Sequence, residues 1–75
     1  TLAQQQPDAF LPDLAMSLYN QSILLASLGR RKEALKAITR AVNTYQNLTT
    51  KQPEMFMDNL LKAIQLREAL RRGQR

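Results

Sequence analysis

The 75-residue chain has no cysteine and no histidine. Without cysteine there is no disulfide framework and no thiolate metal site. Without histidine the commonest general base, the commonest metal ligand and the usual catalytic triads are all excluded. Two glycines, Gly29 and Gly73, are too few for a phosphate-cradling loop. The longest strictly apolar run, Ile23-Leu24-Leu25-Ala26, falls far short of a membrane span. Carboxylates are few as well: Asp8, Asp13, Glu33, Glu54, Asp58 and Glu68. None is set in an apolar segment that would tune it as an acid or base, and no metal-ligand spacing occurs among them. The expectation is a chain that binds rather than catalyses, with no metal and no cofactor. What is present is an apolar content of 44% with three prolines, which describes a folded chain rather than a disordered one. A chain of this length makes one small domain, residues 1–75, with a modest core.

The net charge is +5, from 11 Lys/Arg against 6 Asp/Glu. A basic balance suits nucleic acid, an anionic surface or an acidic partner. Placement narrows this. Asp8, Asp13, Glu33, Glu54 and Asp58 fall near expected helix starts and Arg67, Arg71 and Arg72 near an expected end, which complements helix macrodipoles. Arg30-Arg31-Lys32 reads as a solvated turn. No aromatic interleaves Arg67, Arg71, Arg72 and Arg75 to stack on bases, so nucleic-acid binding through this basic helical segment is the weaker expectation. The chain opens with Thr1 and has no signal-peptide pattern. It reads as a piece of something longer, with a cytoplasmic location expected and no membrane partner.

Proline and glycine divide the chain into three expected helices, at roughly 9–28, 31–49 and 54–72. In the first, Leu11, Leu14, Leu18, Leu25 and Leu28 follow spacings of three and four, and Gln21 falls where another apolar residue would continue the series. Asp8 is the expected N-cap. Pro12 is tolerable in a first turn, and Gly29 is the expected left-handed C′ residue. In the second helix Ala34, Leu35, Ile38, Ala41, Val42, Tyr45 and Leu48 make one stripe, with Lys32, Lys36, Thr39, Arg40, Asn43 and Gln46 opposite. The small residues Ala34 and Ala41 allow close helix approach. In the third, Phe56, Met57, Leu60, Leu61, Ala63, Ile64, Leu66 and Leu70 cover more than half the circumference. That breadth suits a helix packed on both sides, or one that receives another helix.

A repeat runs through the chain. Leu2, Gln6 and Pro7 recur 46 residues on as Leu48, Gln52 and Pro53. In the same register Phe10 meets Phe56, Asp13 meets Asn59, Leu14 meets Leu60 and Leu18 meets Ile64. The unit is helix, Gly29 turn, helix and a Pro-marked linker. The chain holds about one and a half copies: a full repeat over about 8–52 and the first helix of the next over 54–72.

Leu28-Gly29-Arg30-Arg31-Lys32-Glu33-Ala34-Leu35, followed by Ile38, Ala41 and Tyr45, resembles the turn and second helix of a tetratricopeptide repeat. Pro7 to Leu18 resembles a long-period subclass found in sensor arms of signalling ATPases and beside caspase-like effector domains. Gln21, where the family buries a leucine, and Arg67 at the equivalent place, with no turn glycine after it, depart from the pattern. The resemblance implies an all-α fold of antiparallel helix-turn-helix units, a three-helix fragment of a right-handed superhelix. It implies a protein–protein interaction module that docks a peptide or partner helix on the concave face, as a sensor or scaffold arm.

Spacing supplies the candidate site. With Leu14, Leu18, Leu25 and Leu28 turned to the core, Met16, Tyr19, Ile23 and Ala26 form a second stripe, which the resemblance makes the concave one. Lys62, Gln65, Ala69 and Arg72 are equivalent on the third helix. Some family members grip a C-terminal carboxylate from such positions. Asn20 and Lys62 are similar to that clamp, but Leu66 stands where a second basic residue is wanted. The competing reading is a helical oligomerisation element in which the apolar stripe pairs with another copy.

Overall fold

A computed structural model describes residues 7–73. Leu2, Gln6 and Arg75, which enter the repeat and the basic segment, lie outside the described residues. Three helices of 21 residues each fill the described chain: α1 (Pro7–Ser27), α2 (Arg31–Lys51) and α3 (Pro53–Gly73). The protein is all-α, with no strand among the described residues. The expected punctuation is nearly right. Pro7 and Pro53 open their helices at the first position, where a missing N–H costs nothing. Asp8 is therefore inside α1 rather than ahead of it, which corrects its expected capping place.

The α1–α2 turn is a Schellman motif. Gly29 has φ +81°, and its N–H donates to the Ala26 carbonyl at 3.1 Å while the Arg30 N–H donates to the Leu25 carbonyl at 2.9 Å. Those two bonds satisfy carbonyls that the helix end would otherwise leave free. Glycine is required because an L side chain in this conformation is strained, although space for one exists: a Cβ at Gly29 would meet nothing within 4 Å. The Gln52 N–H donates to the Leu48 carbonyl at 2.8 Å and closes α2, and Pro53 starts α3 at once. At the far end of α3, the Arg31 guanidinium donates to the Gly73 carbonyl. The first residue of α2 thus satisfies the last turn of α3, and its charge complements the negative end of that helix. One member of the basic turn cluster is a cap, not merely a solvated charge.

The core is a single cluster around α2, with Ala34, Ile38, Ala41, Val42, Tyr45 and Leu48 at its centre. This is the expected stripe, plus Ala37 and with Leu35 half-buried. Both α1 and α3 pack on α2 and barely meet each other. The face that each outer helix buries is therefore the face it turns to α2. On α1 that face is Ala15, Leu18 and Ser22, flanked by half-buried Leu11, Leu14, Leu25 and Tyr19. On α3 it is Phe56, Ala63 and Leu70, flanked by Leu60 and Leu66.

Under the 46-residue register these are different faces. Ala63 corresponds to Ser17, not to Ala15 or Ser22. At about 100° per residue the two α2-facing directions are turned roughly 120° apart on otherwise matching helices. Because α1 and α3 both pack on α2 and barely meet each other, the three helices form an open V with α2 at the apex. The molecule measures 42 × 26 × 13 Å. A closed bundle with helix spacings of about 8–10 Å would have nearly equal short dimensions; here one is twice the other.

One expectation about α1 is corrected: Leu28 is exposed, not core. The small residues Ala15 and Ser22 do the close packing instead, and Ser22 tolerates complete burial because its Oγ donates to the Tyr19 carbonyl at 2.6 Å.

Candidate functional site in the mouth of the V

The open side of the V is the side away from α2. On α1, Met16 and Ile23 are two turns apart and lie roughly 110–130° around from the α2-facing centre, on the side toward α3. On α3, Lys62 and Ala69 lie at similar angles in the opposite sense. Opposite rotations on the two arms of a V point the four residues to the same side, its mouth. Met16 is 54% exposed and Ile23 is 43% exposed. Large apolar side chains left in water at this spacing make Met16 and Ile23 the candidate anchors of a docking site.

The remaining predicted residues divide. Tyr19 and Ala26 belong to the same stripe but sit deeper, half-buried against the core. They form the α1 wall of the V where it descends to α2. Tyr19 comes close enough to Tyr45 of α2 to act on its ionisation: burial first, and then the neighbouring Tyr19, push the Tyr45 phenol above 10.0. Asn20 is exposed, but it points past the rim of α1 rather than into the mouth. Lys62 and Gln65 are exposed on α3; Lys62 faces the mouth and Gln65 turns outward beyond it. Leu66 is half-buried in the core. Asn20 and Lys62 stand on different arms of the V.

Three features lie outside the predicted stripe. A depression of about 280 Å³ between α1 and α2 is lined by Leu18, Gln21, Leu25, Glu33, Lys36, Ala37 and Arg40. It lies behind the V and mixes charges of both signs. Phe10, Leu24 and Leu28 leave an apolar outer flank on α1, and Met57 and Leu61 leave one on α3. Finally, Arg67 on α3 has its Nε buried without a hydrogen-bond partner.

The charged groups carry little structural energy. The ion pairs Arg71–Glu68 at 3.2 Å and Arg30–Glu33 at 4.0 Å are both well exposed, a setting in which such pairs contribute between about 0 and 1 kcal/mol. Among the described residues no group of three or more Asp/Glu could hold a metal ion, and no helix is long and apolar enough to cross a membrane. Comparison with family models, with curated proteins and with solved structures gave no match.

Proposed function

We propose that the chain is a fragment of a tetratricopeptide-type repeat array and that it works as a protein–protein interaction module. The V of α1, α2 and α3 is one helix pair and the first helix of the next. Its mouth takes an extended peptide or a partner helix from another protein, by docking alone. The observation that carries this reading is the exposure of Met16 and Ile23 on the one side that both arms of the V share. Lys62 on the opposite arm adds positive charge, so the ligand best suited has two apolar anchors about two helical turns apart and acidic residues beside them. On this reading the surface binds and does no chemistry. A sensor or scaffold arm in a larger cytoplasmic signalling protein is the role that fits such a surface.

The test is a selection from a displayed random-peptide library against the immobilised chain. Enriched peptides should carry paired apolar anchors with acidic residues, and Ile23→Glu should weaken them by about ten-fold or more with melting unchanged, since the position is exposed. A library that yields no such peptide, or peptides that bind the Ile23→Glu chain equally well, defeats the proposal. Tyr19→Ala is the wrong probe, because Tyr19 is partly core.

The exposed flanks of α1 and α3 favour a second reading, helical self-association through an apolar stripe. It predicts a dimer mass in sedimentation at micromolar concentration.

A further inference from the structure

All 11 Lys and Arg residues of the chain lie at position 30 or beyond, and α1 carries none of them. The outer flank of α1, which faces away from the mouth of the V, has the spacing of a coiled-coil seam. Phe10, Leu14, Ser17, Gln21, Leu24 and Leu28 follow intervals of four and three. All are exposed except Leu14, which is half-buried; Leu24 is 59% exposed and Leu28 63%. The Leu28 N–H donates to the Leu24 carbonyl at 3.1 Å, so Leu28 keeps the helical course past Ser27. At about 100° per residue the seam lies roughly 110° around α1 from the face on α2, and roughly 130° from Met16 and Ile23. Its chemistry reads the same in both directions: two large apolar residues, two polar ones, two large apolar ones. A two-fold interface needs that property, because one surface has to complement itself.

We infer that this flank binds a second copy of the chain, with the two α1 helices packed antiparallel about a two-fold axis. The inference rests on the self-association reading and names its surface, symmetry and register. In that register Phe10 faces Leu28 of the other copy, Leu14 faces its Leu24, and Ser17 faces its Gln21, each pair occurring twice. Apolar pairs close both ends of the seam. The Ser17–Gln21 pairs meet in the middle, where hydroxyl and amide satisfy each other. A slip of one heptad sets Ser17 or Gln21 against leucine, and the polar layer selects the register by that penalty. Gln21, which interrupts the apolar series of α1, gains a role here. Charge decides the direction. Parallel helices would bring the two basic turns, Arg30-Arg31-Lys32, side by side. Antiparallel helices separate them and set each toward the half of the other α1 that carries Asp13. Asp13, Asn20 and Ser27 are exposed along one edge of the seam. In this register Asp13 lies by Ser27 of the other copy and Asn20 by its own counterpart, so no like charges meet. The exposed back of α2 is a poorer meeting place, because Lys32, Lys36 and Arg40 would face their own copies. The seam points away from Met16 and Ile23, so the dimer leaves the mouth of the V open, and peptide docking stands or falls apart from it.

Sedimentation equilibrium of the full chain tests the surface. So short a seam is a small interface, and a dissociation constant on the order of 10 µM is expected; in dilute solution the chain is then a monomer whose outer flank is exposed. Leu24→Asp should raise the constant at least about ten-fold while leaving the melting of the dilute chain unchanged. Leu61→Asp, on the flank of α3, should leave the constant as it is. Gln21→Leu should lower it about five-fold, because a polar layer fixes register at a cost in affinity. Spin labels test the direction. The chain has no cysteine, so single-cysteine variants label cleanly. The two helices rise about 1.5 Å per residue in opposite senses, so a nitroxide at Asn20→Cys should lie about 10 Å from its counterpart and one at Ser27→Cys about 25 Å. A chain that stays monomeric up to about 1 mM overturns both this inference and the self-association reading. A dimer that Leu61→Asp breaks and Leu24→Asp does not overturns the inference alone. Short distances at both labels would mean parallel helices and overturn the register.

Discussion

The two outer helices, α1 and α3, are equal in length, enter through a proline and carry the same series of phenylalanine, small residue and leucine. They nevertheless bury different sides. α1 turns Ala15, Leu18 and Ser22 to α2 and leaves Phe10 and Leu24 in water, whereas α3 buries Phe56 and Leu70 and leaves Met57 and Leu61 in water. Each helix therefore has two apolar faces and one partner. Burial here is assigned by position beside α2 and not by the helix's own pattern. The exposed face of one outer helix is a copy of the buried face of the other, and the energetic contrast between matched residues should be large.

The sharpest way to break this comparison is the pair of phenylalanines. Phe56→Ala should cost about 3–5 kcal/mol, the range for a buried aromatic, whereas Phe10→Ala should cost less than about 1 kcal/mol, as at a surface position. Urea denaturation of the two variants checks this. Equal losses would mean that α1 and α3 are buried alike in solution and that the V is not open.

A smaller effect of opposite sign comes from Gln21 and Arg67, which also match at 46 residues. Gln21 is exposed, whereas Arg67 is half-buried with an unpartnered Nε. A buried donor left unpaired costs about 1–3 kcal/mol. Arg67→Leu removes it and extends the apolar surface of α3, so stability should rise by about 1 kcal/mol, while Gln21→Leu should change it by no more than about 0.5 kcal/mol. Thermal and chemical denaturation read both. A destabilised Arg67→Leu chain would mean that the guanidinium has a partner and that α3 packs differently from α1 at this place.

How much of this is legible in the sequence differs from helix to helix, and for physical reasons. α2 is readable because its apolar stripe is narrow, continuous and used by both neighbours at once, so periodicity and burial coincide. The breadth of apolar surface on α3 signals a helix with more than one apolar face. α1 is the helix where spacing misleads. A search for large apolar residues at spacings of three and four selects Leu28, which is exposed, and passes over Ala15 and Ser22, which have no exposure at all. Close helix approach uses small residues, and a serine can join them when its hydroxyl returns to the backbone, as Ser22 does to Tyr19. The heptad series Ala15, Ser22, Gly29 is the available signal. For the site, spacing finds Met16 and Ile23, which are exposed, and also Tyr19 and Ala26, which are half core. The depth of a stripe depends on the crossing of the helices, which one helix's sequence does not contain. The cap from Arg31 to Gly73 joins residues 42 apart and has no local signal.

The smallest effect concerns what α1 brings to Tyr45 that α3 does not. Tyr19 acts on Tyr45, and the residue matching Tyr19 on α3 is Gln65, which cannot ionise. The folded chain holds the Tyr45 phenol above its ordinary value of 10.0, mainly by burial and secondarily through Tyr19. The sign follows from linkage. Below the unfolded value both states keep the proton, and the contribution to stability is fully present. As the pH rises past 10.0 the unfolded chain releases its proton first, so stability falls until the folded phenol ionises as well. Lysine deprotonation is superimposed over the same range, so the informative quantity is the difference between the parent and Tyr45→Phe. Near neutrality the two should unfold at closely similar urea concentrations. Above about pH 10 the parent should lose stability faster, and Tyr19→Phe should recover only the lesser part of that loss. Parallel stability curves for parent and Tyr45→Phe up to about pH 11 would show that Tyr45 is not held in the core between α1 and α2, and would remove the clearest difference between the two sides of the V.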